Sequence, residues 1–352
     1  MISRQDLAIA GYMIVVGTES SQNNGATHPS QFDPMPPPAD SAIVLFPGAL
    51  GDFICFLPAL AALQARHDGH LLLVTNPALR ELVRLPRTAT ASIDRREIAD
   101  LFVSDRPAGP ETRKLFAGFR SVYSWTGFGN PDVSLRLAAV TGGQVNIYRF
   151  RGMDTGEHAV EYYARCVGVA PRLSIGSFFA DDEEWFKTFE RQHQIANSFV
   201  VVHPGSGSAK KNWQGFEAIV RRYHEQDGHT VVLLQGPAEM ERARPDYGAD
   251  VTLDGLSLPR VAALLRRSGF YIGNDSGVSH LAGAVGTHGL VLFGPTDPTT
   301  WAPQSDRLQI LYAPEPCSRC GNDLFCLHRL PAERVLSALE TFGTHGSCSS
   351  FP

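Results

Sequence analysis

The stretch Tyr271-Ile272-Gly273-Asn274-Asp275-Ser276-Gly277-Val278-Ser279-His280-Leu281-Ala282-Gly283-Ala284, placed just before the apolar run 289–293, leaves few architectures open. Residues 270–272 read as the end of a buried strand, 273–277 as a tight turn and 278–285 as a short helix of small residues. Units of this kind build parallel sheets flanked by helices. The turn presents free backbone N–H groups at a helix N-terminus, where they and the helix dipole suit a phosphate. Asp275 is placed to accept from ribose hydroxyls, while Ser276 and Gly277 let the backbone approach an anion. Asp275 as a helix N-cap and His280 as a hydrogen-bonded helix residue fit the same letters.

The same grammar occurs twice more. Residues 42–46 form an apolar run ending at Pro47, followed by Gly48-Ala49-Leu50-Gly51-Asp52 and a helical pattern over 53–66. Strands are then predicted at 71–75, 101–103 and 121–125, with a helix over 77–85. The alternation continues to about residue 150. Arg80, Arg84, Arg87, Arg95, Arg96, Arg113, Lys114 and Arg120 lie in this region. Most read as solvated charge, with a subset able to face a cleft and hold an anionic acceptor.

Helical character over 157–167 and 181–194 is followed by a second opening unit. Its strand is 199–202, its glycine and serine loop 203–213 and its helix 216–224; a strand over 230–234 and a helix over 258–267 come next.

The chain, 352 residues long, has room for two cores. The expected division is a proline-rich, disordered lead-in at 1–40, a first doubly wound domain at 41–180 and a second at 198–330. The linker falls at about 171–198, and 331–352 form a helix and tail. Ligands belong at the carboxyl ends of the strands, in the cleft between the domains.

A net charge of −5 argues against general nucleic-acid binding. No apolar run reaches the length of a bilayer span, and residues 7–16 lack a convincing cleavage site, so they read as non-targeting. Six cysteines are too few for a disulfide scaffold in a chain this long. Cys317, Cys320 and Cys326 with His328 form a weak zinc candidate: the first pair has ligand spacing, but the second half is compact and irregular. Reduced thiols packing a turn are the alternative.

Generic catalytic signatures fail. Gly205-Ser206-Gly207 lacks the third glycine of a dinucleotide fingerprint, and Lys210 stands where a P-loop needs its second glycine. Ser206 and Ser276 lack the glycine two positions before a nucleophile elbow. No Asp-x-Asp pair is present to hold a divalent ion on a pyrophosphate, so protein donors would have to meet its charge. Lys210 and Lys211 follow a serine-rich loop, where an ammonium can reach a phosphate or stay solvated. Asp52 fits both a general base facing the cleft and an N-cap for a helix starting at Phe53.

Four segments together resemble glycosyltransferase family nine, the lipopolysaccharide heptosyltransferases. They are Leu50-Gly51-Asp52 through Leu57-Pro58-Ala59-Leu60, His203-Pro204-Gly205-Ser206 through Lys211-Asn212-Trp213, Asp275 through Ala282, and Phe293-Gly294-Pro295-Thr296-Asp297-Pro298 through Trp301-Ala302-Pro303. The resemblance implies a two-lobed GT-B fold of Rossmann-like domains. It implies a metal-independent, inverting transfer of a sugar, heptose from ADP-heptose, to a lipopolysaccharide-type acceptor bound by the first lobe. Asp52 would be the base, with Gly48 and Gly51 in the acceptor-side loop. Ser206, Lys211, Glu239, Leu256, Asp275, Ser276, Gly277 and His280 would bind the donor.

It further implies no cofactor beyond the nucleotide sugar, and a cytoplasmic protein that touches the inner membrane face through a lipid acceptor. Two departures stand out: Pro47-Gly48-Ala49 replaces the serines common before the first Gly-Asp, and Gly286-Thr287-His288-Gly289 replaces a Gly-x-Pro run. A GT-B sugar-nucleotide epimerase and a non-catalytic two-lobed nucleotide-sugar-binding protein are the competing readings.

Overall fold

The computed structural model describes residues 40–68, 70–104, 106–171, 178–195, 198–227, 229–236, 246–312 and 326–345. The lead-in up to residue 39, Glu239, Cys317 and Cys320 lie outside the described residues.

Strands β1 (Ala42–Leu45), β2 (Leu71–Thr75), β3 (Thr88–Ser92), β4 (Ser121–Ser124) and β5 (Gln144–Ile147) make one sheet in the order β3-β2-β1-β4-β5. Strands β6 (Phe199–His203), β7 (Thr230–Gln235), β8 (Val251–Asp254), β9 (Phe270–Asn274), β10 (Gly289–Phe293) and β11 (Leu308–Tyr312) make the other, in the order β11-β10-β9-β6-β7-β8. Every pairing is parallel. Parallel sheets are covered on both faces, which is why β1 and β10 are apolar along their length, β6 is apolar up to its last residue, His203, and all three are buried.

In β1 the side chains alternate between two layers. Ile43 and Leu45 join a cluster with Ile98, Phe116 and Val133, while Ala42 and Val44 pack with Phe53, Phe56 and Leu60 of the Leu50–Arg66 helix. Each such large side chain contributes roughly 2 kcal/mol of burial. The second cluster continues into the other lobe through Leu281 and Ala282 of the Gly277–Val285 helix. The lobes therefore share apolar packing along those two helices.

A strap on the far side also ties them. Arg84 N–H donates to the Phe178 carbonyl at 2.7 Å and Ala180 N–H to that of Leu82 at 2.6 Å, so the segment runs along the first lobe. Immediately after it, Asp181 and Asp182 accept from Arg267 and Arg260 of the second lobe, both at 3.0 Å.

Two sequence expectations need correction. Residues 101–103 are not a strand: Asp100–Phe102 is a 3-10 turn, fixed by Gly109 N–H and the Thr112 hydroxyl donating to the Asp100 carboxylate. The third strand is instead β3, an edge strand whose Thr-Ala-Thr-Ala-Ser sequence is only partly buried and so carries a weak apolar signal. The first helix begins at Leu50, not Phe53. Asp52 thus sits inside its first turn, and the N-cap is Ala49, which makes no side-chain capping bond.

Candidate active site

Both sheets reverse strand order beside their first strand, at β1/β4 and at β6/β9, and the loops at those carboxyl ends face each other. A cavity of about 260 Å³ lies between them. From the first lobe it takes Ala49, Gly51 and Asp52 after β1 and Arg151 after β5. The second lobe supplies Gly207 and Lys211 after β6, Asp275, Ser276, Gly277 and His280 after β9, and Thr296 and Trp301 after β10.

Two helix N-termini converge here. A Cβ added to Gly277 would sit 2.8 Å from Leu50 Cβ and 3.1 Å from the Gly51 nitrogen, and one on Gly51 would meet the His280 ring at 3.1 Å. These small residues let the lobes touch through backbone. Gly48 is not on the cavity wall, but a Cβ there would be 2.4 Å from the Phe46 ring and 2.7 Å from Asp52 Cβ. The glycine is what allows the turn to pass over both.

Ser276, not Asp275, caps the Gly277–Val285 helix: its Oγ accepts from Ser279 N–H at 3.4 Å. The first N–H groups of that helix have no intrahelical carbonyl and point toward the cavity end of the helix. Freed from capping, the Asp275 carboxylate is buried and accepts from Lys211 Nζ at 2.7 Å. Lys211 reaches it from the 3-10 turn Ala209–Lys211. Asp52, 3 % exposed, accepts from the Arg151 guanidinium through both oxygens, each at 2.7 Å. That bond holds Arg151 more firmly protonated than usual.

His280 is buried, and the cost of desolvating a cation pushes its pKa down to about 4, so near neutrality it is an uncharged imidazole. Burial likewise raises the Cys55 thiol, which stays protonated and lies 3.8 Å from His280 Nδ1. His280 therefore packs the junction of the two helices and offers the cleft a neutral edge. His158 is neutral for the same reason: Nδ1 accepts from Val160 N–H and Nε2–H donates to the Ala302 carbonyl of the opposite lobe at 2.9 Å.

The structure thus brings Asp52, Gly51, Lys211, Asp275, Ser276, Gly277 and His280 to one cavity. It does not bring Ser206 to the wall: that hydroxyl is buried in its own loop, 2.7 Å from the Ser208 carbonyl and 2.6 Å from Asn212 Oδ1. Leu256 packs against the core instead. Glu239 lies outside the described residues. Of the wall residues that sequence reasoning did not assign to the site, Ala49, Arg151, Gly207, Thr296 and Trp301, the charged one is Arg151, whose partner is 99 positions away. Among the described residues no group of three or more His, Cys, Asp or Glu is placed to hold a metal ion, and no helix is long and apolar enough to cross a membrane.

Two Rossmann-like lobes whose strand ends meet across one cleft define the GT-B class of fold. Over residues 157–325 the chain matches the family model of glycosyltransferase family 9 (heptosyltransferase), which shows the resemblance to that family across the three motif segments of the second lobe; the first segment, Leu50 to Leu60, lies outside the matched range. Two curated proteins from Escherichia coli, one of them from strain K12, both named lipopolysaccharide heptosyltransferase 3, are 29 % identical to it. The matches run over 162 and 209 residues, or 42 % and 53 % of this chain. The chain spans about half the length of these relatives, 47 % and 59 %.

Among solved structures, the family 9 glycosyl transferase of Veillonella parvula DSM 2008 superposes with a TM-score of 0.66 at 20 % identity, covering 89 % of this chain and 99 % of that one. The E. coli heptosyltransferase WaaC with ADP does so with a TM-score of 0.56 at 20 % identity, covering 86 % and 99 %.

Proposed function

We propose that the chain is an inverting glycosyltransferase that moves a sugar, heptose from ADP-heptose, onto a lipopolysaccharide-type acceptor. One observation carries the reading. A single buried carboxylate from the first lobe, Asp52, shares a cavity with Lys211, Asp275 and the Ser276-capped helix end of the second.

In this account Asp52 takes the proton of an acceptor hydroxyl as its oxygen attacks the anomeric carbon, and the bond from that carbon to the diphosphate breaks. The leaving group gains negative charge in the transition state. Lys211 and the N–H groups at Gly277 and Val278 meet that charge from fixed positions, which is where preorganised donors lower a barrier most. Asp275 holds Lys211 on the phosphates and offers its second oxygen to a ribose hydroxyl. The inversion follows from Asp52 and the diphosphate site lying on opposite walls of the cleft. No resident metal or cofactor is assigned. The heptose and ADP come from what the relatives' names state of those proteins. A lipid-linked acceptor would bring the protein to the inner face of the cell membrane.

The test is nucleotide release from ADP-heptose with and without a lipopolysaccharide core acceptor. The reading requires acceptor-dependent ADP release; conversion of the donor to another nucleotide sugar without acceptor and without ADP release indicates an isomerase, and tight ADP binding with no turnover indicates a binding protein.

A further inference from the structure

Among the described residues, four charged side chains line the cavity, and they form two closed pairs: Lys211 with Asp275, and Arg151 with Asp52. The second pair bears directly on the base. The Arg151 fork occupies a lone-pair position on each Asp52 oxygen, at 2.7 Å and 2.7 Å, and neutralises the carboxylate. Arg151 is also unusual in its backbone and its setting. Its φ of 54° lies in the left-handed region that non-glycine residues rarely adopt. Its guanidinium lies 5.3 Å from the ring centroids of both Phe150 and Trp301, the latter from the opposite lobe. Yet the side chain is 43 % exposed, open on the cavity side that also holds Lys211 and the helix end.

A planar fork of this kind fits a phosphate as well as a carboxylate, and a diphosphate carries more charge than Asp52. We propose that Arg151 is an exchange clamp: the diphosphate of the incoming nucleotide takes over its guanidinium, and Asp52 is uncovered as a base only when the donor is seated. The proposal rests on the donor-site reading above and goes one step past it. It makes Arg151 a positioning residue for the base, a phosphate ligand for the leaving group, and the reason donor precedes acceptor. No bond is made or broken in the exchange; the ion pair changes partner, and Trp301 keeps the guanidinium near both.

Calorimetric titration of the full chain with inorganic pyrophosphate separates the possibilities. Arg151→Gln weakens binding about tenfold, and Arg151→Lys, which keeps the charge but not the fork, falls between it and the native chain. Asp52→Asn releases the clamp and tightens binding by about threefold or more, and this gain vanishes in the Arg151→Gln background. A gain from Asp52→Asn that persists without Arg151 reflects removal of a repelling charge alone and overturns the exchange, as does no gain at all. A native chain that binds no pyrophosphate, with Lys211→Gln equally silent, fails the donor-site reading itself.

Discussion

Replacing Gly277 with alanine tests whether the lobes meet backbone to backbone at the cleft. The new Cβ would lie 2.8 Å from Leu50 Cβ, 3.1 Å from Leu50 Cγ and 3.1 Å from the Gly51 nitrogen. Carbon atoms rest at about 3.5–4.0 Å, so the contact is short by most of an ångström. Leu50 cannot escape by rotating, because its Cβ is fixed to the backbone. The Leu50–Arg66 and Gly277–Val285 helices must separate instead. Overpacking of this kind costs about 1–3 kcal/mol, offset by at most about 1 kcal/mol from the better helix propensity of alanine. The net expectation is about 1–2 kcal/mol of destabilisation in urea unfolding, together with weaker nucleotide binding as the cavity walls part.

Gly207→Ala is the matched control: it lines the same cavity, but a Cβ there meets nothing within 4 Å. It should stay within about 0.5 kcal/mol of the native chain. Equal stability of the two variants would refute the close approach of the two helices.

Three further outcomes follow from the same geometry. The pKa of His280 is about 4 in the folded chain against an ordinary 6.5, so the unfolded chain binds more protons between those values and stability falls as pH drops from 6.5 toward 4. The loss is about 3 kcal/mol at most, and urea unfolding of His280→Gln should show a flatter pH dependence across that window. Ser276→Ala removes an N-cap whose bond to Ser279 N–H is long, 3.4 Å, and should lower unfolding stability by about 0.5–1 kcal/mol, the low end for caps. Cys55 is buried with a raised thiol pKa, so mass spectrometry after iodoacetamide treatment should find it unmodified in the folded chain and modified only after unfolding.

Where the sequence spoke clearly, local chemistry and the fold agreed. The second-lobe core strand β10 and the Leu258–Arg267 helix have the bounds that their apolar pattern predicts, because both are enclosed by the core. The turn after β9 was legible for a different reason: Asn-Asp-Ser-Gly before a run of small residues signals a helix start that backbone must approach. What letters could not decide was which residue takes which duty there. Asp275 and Ser276 are both good caps; burial beside Lys211 draws the aspartate to the ion pair and leaves the cap to the serine.

Asp52 posed the same choice: the helix starts at Leu50 with Ala49 as its N-cap, so the carboxylate does not cap it and instead pairs with an arginine from the far end of the lobe. No local pattern marks Arg151, because its role is set by the order of strands, which carries the chain after β5 to the rim of the cleft. Edge strand β3 was missed since half-exposed threonine and alanine lack the apolar run of a central strand.

The most direct test of the central claim is acceptor-dependent ADP release measured beside ADP binding in the native chain and in Asp52→Asn. The account predicts that the variant loses turnover by several orders of magnitude, on the order of 10²–10⁴, while its affinity for ADP is kept or increased. Turnover that survives the substitution, or ADP binding that disappears with it, would contradict the assignment of Asp52 as the base opposite the diphosphate site.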